Sequence, residues 1–315
     1  MDYLLLIIGL SLLLTGANTL VDSSVAIARK AHLSNFIIGL TIVGMGTSAP
    51  ELFISISSAI NGHGDIAMGN AIGSNICNVL LILGATGTIL PFTIQREQTR
   101  RDIPFTIAAS ILITILALSG SHHGLSRTDG LILTAIFIAY MTYVVIKGRG
   151  GDNQTEEEQP NAYQRFNVPI LLLIALAALA ALLGGGTLFL NSATAIARAW
   201  GMSESVISIT IVALGTSLPE LITCILAARR GNAQLALGNV LGSNIFNILL
   251  VLGLPALMHP FATESMAAAD YIVMILSAMA CYLVIFTFGK KKFDRIEGIL
   301  FLLAYLAYDV YLFIR

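Results

Sequence analysis

Apolar residues run along this chain in long blocks separated by short polar breaks. Ten blocks can be read, at roughly 3–28, 35–60, 66–90, 103–120, 126–146, 167–197, 204–228, 234–258, 267–288 and 295–313. Each reads as a helix, because most approach the ~20 apolar residues that carry a helix across the hydrocarbon core of a bilayer. The first and sixth are longer, which predicts tilt or projection from the membrane. After the fifth block comes the one sizeable polar stretch, GRGGDNQTEEEQPNAYQRFN at 148–167, which reads as a flexible linker. The expected fold is an all-α integral membrane protein of ten helices. Its first five-helix unit covers 1–147, the linker 148–166 and the second five-helix unit 167–315.

Two blocks in each unit carry polar residues where a lipid-facing helix would carry leucine. Residues 46–84 and 215–253 align without a gap at an offset of 169, and 21 of the 39 pairs are identical. Both copies read G-T-S-x-P-E in one block and G-N-x-x-G-S-N-I-x-N in the next, within motifs bounded at 44–84 and 213–253. Upstream, TGANTLVDSSVAIAR at 15–29 lies over GGGTLFLNSATAIAR at 184–198, so the duplication covers most of each unit.

Composition and charge fix the setting. The chain of 315 residues is 56% hydrophobic and only 11% charged, with a mean hydropathy of +0.85. A soluble domain carries about 25% charged residues. A net charge of −1 gives no basis for a nucleic-acid partner. Cys77, Cys224 and Cys281 all fall inside apolar blocks, so they read as packing residues rather than a disulfide framework or a thiolate metal site. No Lys or Arg precedes the first apolar run, which therefore reads as a retained span and not a cleaved leader.

The basic residues sort by side. Arg29, Lys30, Arg96, Arg100, Arg101, Lys147, Arg149, Arg165, Arg229, Arg230, Lys290, Lys291, Lys292 and Arg295 flank alternate breaks, against Arg127, Arg198 and Arg315 on the other side. The positive-inside rule then predicts both termini outside and the 148–166 linker in the cytoplasm of a plasma (bacterial inner) membrane protein. With five crossings per unit the two copies enter from opposite faces, an inverted duplication typical of secondary transporters.

The repeated motif predicts chemistry. Pro50 lacks an N–H and its ring clashes with the carbonyl four residues back, which predicts a break in the second helix that frees Gly46 and disturbs Gly44 and Met45. The seventh helix is expected to break in the same way at Pro219. Free carbonyls are tolerated inside a bilayer only where they line a polar cavity. Thr47 and Ser48 precede Glu51 by four and three residues, so all three can share a face. In the next block Ser74 and Asn78 are four apart with Asn75 beside them, and Gly69 and Gly73 are expected to admit a neighbouring helix. The second copy adds Thr216, Ser217, Glu220, Asn239, Gly242, Ser243, Asn244 and Asn247. Inverted symmetry would bring both breaks together near the midplane. Such an all-oxygen set suits Ca²⁺, Na⁺ or Mg²⁺, and the absence of His or Cys at ligand spacing argues against zinc. No Lys or Arg lies near mid-span to neutralise Glu51 or Glu220, so cations or protons must do so.

The paired motifs resemble the alpha-repeats of the cation/calcium exchanger superfamily, and the chain is similar to a compact prokaryotic sodium/calcium exchanger over both repeats. The resemblance implies an antiporter that exchanges Na⁺ for Ca²⁺ by alternating access, with no cofactor and no obligatory protein partner. Carried over position by position, it implies that Glu51 and Glu220 bind calcium with Thr47 and Thr216. It implies that Ser48, Ser74, Ser217 and Ser243, both glutamates, and the carbonyls of Gly44 and Ala213 serve sodium. Asn78 and Asn247 stand at a central polar position that is aspartate in some potassium-dependent members, which argues against potassium dependence. It also implies that the long first and sixth helices slide past the ion-binding bundle on Gly16, Ala17 and Gly184–Gly186.

Other readings compete. Glu51 and Glu220 could carry protons in a proton-coupled calcium/cation antiporter, although the surrounding hydroxyls and amides favour sodium. A hydrolase built on Ser48 or Ser217 needs a mid-span His or Lys base, which the sequence does not supply. A passive channel suits the inverted repeat less well. Ser74 and Ser243 can also back-bond to the carbonyl four residues earlier. Asp65 reads as an outer cap or entrance residue, and His122–His123 and Glu156–Glu158 as solvated loop residues.

Overall fold

The computed structural model describes residues 1–119, 124–147, 162–202, 215–263, 266–286 and 292–314. Most of the linker with Glu156–Glu158, the His122–His123 pair, and residues 204–214 of the expected seventh helix, including Ala213, lie outside the described residues.

The helices are α1 (Asp2–Lys30), α2 (Asn35–Thr47), α3 (Ala49–Ile60), α4 (Gly64–Ile89), α5 (Gln98–Ser119) and α6 (Arg127–Lys147), then α7 (Val168–Ala199), α8 (Leu218–Arg229), α9 (Ala233–Met258), α10 (Ala268–Leu283) and α11 (Arg295–Ile314). Among the described residues, α1, α4, α5, α6, α7 and α9 are each long and apolar enough to cross a membrane, and α2 with α3 forms a seventh candidate bent by 45°. The apolar α10 is only 16 residues long. Large apolar side chains such as Phe53, Ile146, Leu173 and Leu303 face outward, while Glu51, Glu220, Asn75, Asn78, Asn239, Asn244 and Asn247 are buried. That inversion of the soluble pattern is what a lipid solvent selects. The chain is a multi-pass membrane protein.

Local chemistry sets the ends. Ser34 caps α2 by accepting from the Ile37 N–H at 3.3 Å, and Asn167 caps α7 by accepting from Ile170 at 3.1 Å, with Pro169 in the first turn. The two longest helices, α1 and α7, pack along each other. A Cβ on Gly9 would come within 2.6 Å of the Phe189 N, and one on Gly16 within 2.6 Å of the Leu182 N, so only glycine permits this approach. Gly185 meets the backbone of Leu13 in the same way.

The motif helices α4 and α9 form the buried centre and run antiparallel. Strand β1 (Phe92–Thr93) follows the end of α4, and there Gln234, at the start of α9, donates to the Thr93 carbonyl at 2.8 Å. At the opposite end Gly64 opens α4 against Phe261 and Ala262, which form β3 just after α9. Strand β2 (Gly124–Leu125) pairs with β3, and β4 (Lys292–Phe293) pairs with β1, both antiparallel. Phe92 lies opposite Phe293, and Leu125 opposite Phe261. These registers map onto each other if the repeat offset drops from 169 to 168 past the motifs. The same shorter offset relates two tyrosine–aspartate bonds, Tyr140 to Asp102 at 2.6 Å between α6 and α5, and Tyr308 to Asp270 at 3.2 Å between α11 and α10.

Candidate functional site

The break between α2 and α3 falls on Ser48, with φ −86° and ψ 10°. Ser217 before α8 has almost the same geometry, φ −87° and ψ 3°. Pro50 and Pro219 occupy the first turn of the helix that follows, where a missing N–H costs nothing. The expected loss of carbonyl partners is smaller than the proline rule alone suggests. Gly44 keeps the Ser48 N–H at 3.2 Å, and cap amides close back onto the carbonyls of Gly44 and Gly46. The break works mainly by starting a new helix. It sets Glu51 in the first turn of α3 and Glu220 in the first turn of α8, where the helix dipole favours a carboxylate.

The break between α2 and α3 meets the start of α8. Ser48 Oγ donates to Glu220 Oε1 at 3.0 Å, across the repeats. Thr47 Oγ1 back-bonds to the Val43 carbonyl at 3.0 Å and reaches Asn239 Oδ1 at 3.3 Å. Ser243 Oγ donates to the Gly44 carbonyl at 3.1 Å, so this serine points across helices and not back along its own turn. Asn78 Nδ2 donates to Asn244 Oδ1 at 3.0 Å, which joins the two central motifs. Asn75 Nδ2 rests against Met274 Sδ at 3.9 Å. Glu51 is 1% exposed and Glu220 2% exposed. Close approach of α9 to α2 is enforced by Gly238 and Gly242, which pack on the backbone at Phe36 and Leu40. The matching partners of Gly69 and Gly73 fall at 205 and 209, outside the described residues.

Several buried polar atoms in this layer have no hydrogen-bond partner among the described residues: Glu51 Oε2, Glu220 Oε2, Asn75 Oδ1, Asn78 Oδ1, and both side-chain polar atoms of Asn247. Asn78 and Asn247 both begin a π-helical stretch, Asn78–Leu83 in α4 and Asn247–Val251 in α9. Such turns recur where a helix is reshaped for function. Of the remaining expected site residues, Ser74 is buried in α4, Thr216 is half-buried, and Ser217 is buried against the Cys77 thiol. All three cysteines are free and buried. Asp65 lies at the start of α4, in a hollow with His63 and His259.

Sequence reasoning named Asn239 among the second copy's oxygens but gave its counterpart Asn70 no role. Asn70 Nδ2 donates to the Glu51 carbonyl at 3.2 Å and to Ser55 Oγ at 3.3 Å. Its counterpart Asn239 receives Thr47 and donates to Cys224 Sγ at 3.1 Å. Their signal was the second residue of G-N-x-x-G-S-N, duplicated at the common offset. The arrangement as a whole gathers hard oxygens and two carboxylates in a buried, water-poor layer, which is chemistry for holding cations.

Comparison with known proteins agrees with this chemistry. The sequence model of the family described as sodium/calcium exchanger protein matches residues 1–146 and 170–314. The chain is 36% identical over 316 residues to the putative antiporter CaxA of Alkalimonas amylolytica, covering 98% of this chain and 97% of that one. It is 31% identical to the sodium/calcium exchanger MaX1 of Methanosarcina acetivorans, covering 99% and 98%. Among solved structures, the sodium-calcium exchanger NCX_Mj soaked with zero Na⁺ and Ca²⁺ superposes with a TM-score of 0.84 at 32% identity, covering 99% of this chain and 98% of that one.

Proposed function

The chain belongs to the sodium/calcium exchanger protein family, is a membrane transporter and not an enzyme, and on that premise we propose that it exchanges Na⁺ for Ca²⁺ by alternating access. The observation that carries the reading is the pair of buried carboxylates, Glu51 and Glu220, each with one oxygen that no group among the described residues satisfies. Two negative charges balance one Ca²⁺, and the same oxygens can instead hold several Na⁺ with hydroxyl and carbonyl help. Glu51, Glu220, Thr47 and Thr216 take calcium in this reading. Ser48, Ser74, Ser217 and Ser243, with the carbonyls of Gly44 and Ala213, take sodium beside the glutamates. Asn78 and Asn247 supply neutral amides at the centre, so no third carboxylate calls for an accompanying potassium ion.

The architecture in this proposal is ten spans as two inverted five-helix repeats, with the second and seventh spans broken. It is supported by the antiparallel α4 and α9, by the exchanged strand registers, and by the matching geometry at Ser48 and Ser217. Both termini lie outside and the 148–166 linker in the cytoplasm, on the distribution of Lys and Arg. Proteoliposomes test the coupling. An outwardly directed sodium gradient should drive radiocalcium uptake, and a matched proton gradient should not. Uptake that follows the proton gradient and ignores sodium would replace this reading with proton-coupled antiport.

A further inference from the structure

The long helices α1 and α7 hold matching places in the two repeats, yet they meet the rest of the protein differently. The C-terminal half of α1 packs along α8, and Ser23 through Ala28 are all buried. The matching half of α7 makes next to no contact with α3, and Ala193, Thr194 and Ala195 are only half-buried. Among the described residues, the α1 end is therefore packed more closely than the matching α7 end.

A polar cluster sits at the α1 end. Arg230, just past the end of α8, directs Nη1 to the Asp22 carboxylate and to the Asn18 carbonyl at 3.3 Å, and Nη2 to Asn18 Oδ1 at 2.6 Å. Both Asp22 and Asn18 lie on α1. All three residues are half-buried, where an ion pair is screened less than at an exposed surface. The planar guanidinium fork suits this two-point grip. Arg230 is ten residues beyond Glu220, or about 15 Å along a helix, so the cluster lies off the cage and touches none of its oxygens.

The other repeat lacks the cluster. At the offset of 169, Arg230, Asn18 and Asp22 correspond to Asn61, Thr187 and Asn191. All three are exposed. Asn61 bonds to Ser57 O at 2.8 Å and Thr187 to Leu183 O at 2.9 Å, each within its own helix. We propose that Arg230, Asp22 and Asn18 form a latch that holds α1 on α8. Its absence from the matching end makes the two facing states of the transporter unequal, with the latched end shut at rest. An inverted duplication gives two mirror-related closures, and a contact present in one alone biases the equilibrium by its own strength. The inference rests on reading the chain as an alternating-access carrier, but it does not depend on which ions are exchanged.

Thiol protection tests it in purified, detergent-solubilised protein. Ser24 is fully buried two residues after Asp22, and the three native thiols are buried, so Ser24→Cys provides a single reporter for a hydrophilic maleimide. The reporter should be protected in the parent chain. Arg230→Asn, which installs the residue found at the matching position, should raise its labelling rate about tenfold or more, the worth of a charged hydrogen bond. Asp22→Asn should do the same, and the charge swap Asp22→Arg with Arg230→Asp should restore protection. Size-exclusion profiles and thermal melts identify any variant that is simply misfolded. Unchanged labelling in folded Arg230→Asn and Asp22→Asn, or equal labelling in the swap and the single variants, overturns the latch. Loss of sodium-driven calcium uptake in the parent chain, with the protection pattern intact, overturns only the proposed ion coupling.

Discussion

Replacing Glu220 with Gln separates the cost of the cage from its use. The side chain is 2% exposed, Oε1 accepts from Ser48, and Oε2 has no partner among the described residues. Gln keeps the shape and an oxygen for Ser48, so the fold should survive. Without ions the variant should be at least as stable as the parent, because an ionised carboxylate buried without a cationic partner costs several kcal/mol. Ion binding should suffer in the opposite sense. One lost charged contact sets a floor of about 1.5–3 kcal/mol. The direct attraction of a divalent ion at about 2.4 Å, at an effective dielectric near 20, sets a ceiling of about 14 kcal/mol before desolvation is charged against it. Calcium affinity should therefore fall at least about tenfold. A parent chain at a hundred times its Kd gains about 2.7 kcal/mol from the ligand; a tenfold loss leaves about 1.4 and a hundredfold loss about 0.4. Thermal melts with and without calcium read both signs at once. A variant that is less stable without ions, yet gains as much from calcium as the parent, refutes the assignment of Glu220.

Three further outcomes are expected. Gly44→Ala would place a Cβ 3.0 Å from the Ser243 N and 3.1 Å from the Asn239 carbonyl, so α2 must move off α9 and stretch the Ser243–Gly44 bond; the sodium dependence of exchange in proteoliposomes should weaken several-fold in a folded protein. Acidification should inhibit calcium exchange, because a proton on Glu51 or Glu220 removes a ligand charge; raising calcium should relieve the inhibition, and inhibition that calcium cannot relieve would place the relevant proton elsewhere. Tyr140→Phe removes the 2.6 Å bond to buried Asp102, which Arg101 also holds at 2.7 Å and 3.1 Å; chemical or thermal melts should register a loss of about 1.5–3 kcal/mol, while calcium affinity stays unchanged.

The apolar helices and the break at Ser48 were readable in the residues because both follow from short-range rules, and the meeting of the two motifs because the duplication is inverted. Apolar block length sets where a span can lie, and a proline four residues past a carbonyl sets where a helix must yield. The direction in which a hydroxyl points is not short-range. Ser243 could back-bond within α9 or cross to Gly44, and the choice depends on how closely Gly238 and Gly242 let α2 approach. The pairing of Asn78 with Asn244 was equally hidden, because it depends on the antiparallel meeting of α4 and α9. The proline rule overstated the disruption at Gly44, since it counts the bond removed but not the cap amides that replace it. An ungapped offset of 169 also concealed how far the duplication extends, because one residue fewer in the second copy hides the correspondence of β2 with β4 and of Tyr140 with Tyr308.

The unpartnered atoms connect stability to transport. Leaving a buried polar atom unsatisfied costs about 1–3 kcal/mol, more if it is charged, and native proteins hold few such atoms. Among the described residues seven of the ten such atoms, on Glu51, Glu220, Asn75, Asn78, Thr223 and Asn247, which contributes two, fall on the duplicated motifs, and Ser24, Thr134 and Tyr271 carry the other three. Scattered through the structure, they would be a defect. Gathered mostly in the layer where α3 and α8 begin, and with no Lys or Arg among the cage residues, they become a shared cost that a cation can offset and a neutral solute cannot. The cage cannot be optimised for the ion-free fold without losing its purpose, because every internal hydrogen bond gained by these oxygens would have to be broken to admit the ion. An exchanger of this design should therefore be least stable when empty and more stable with either of its ions bound.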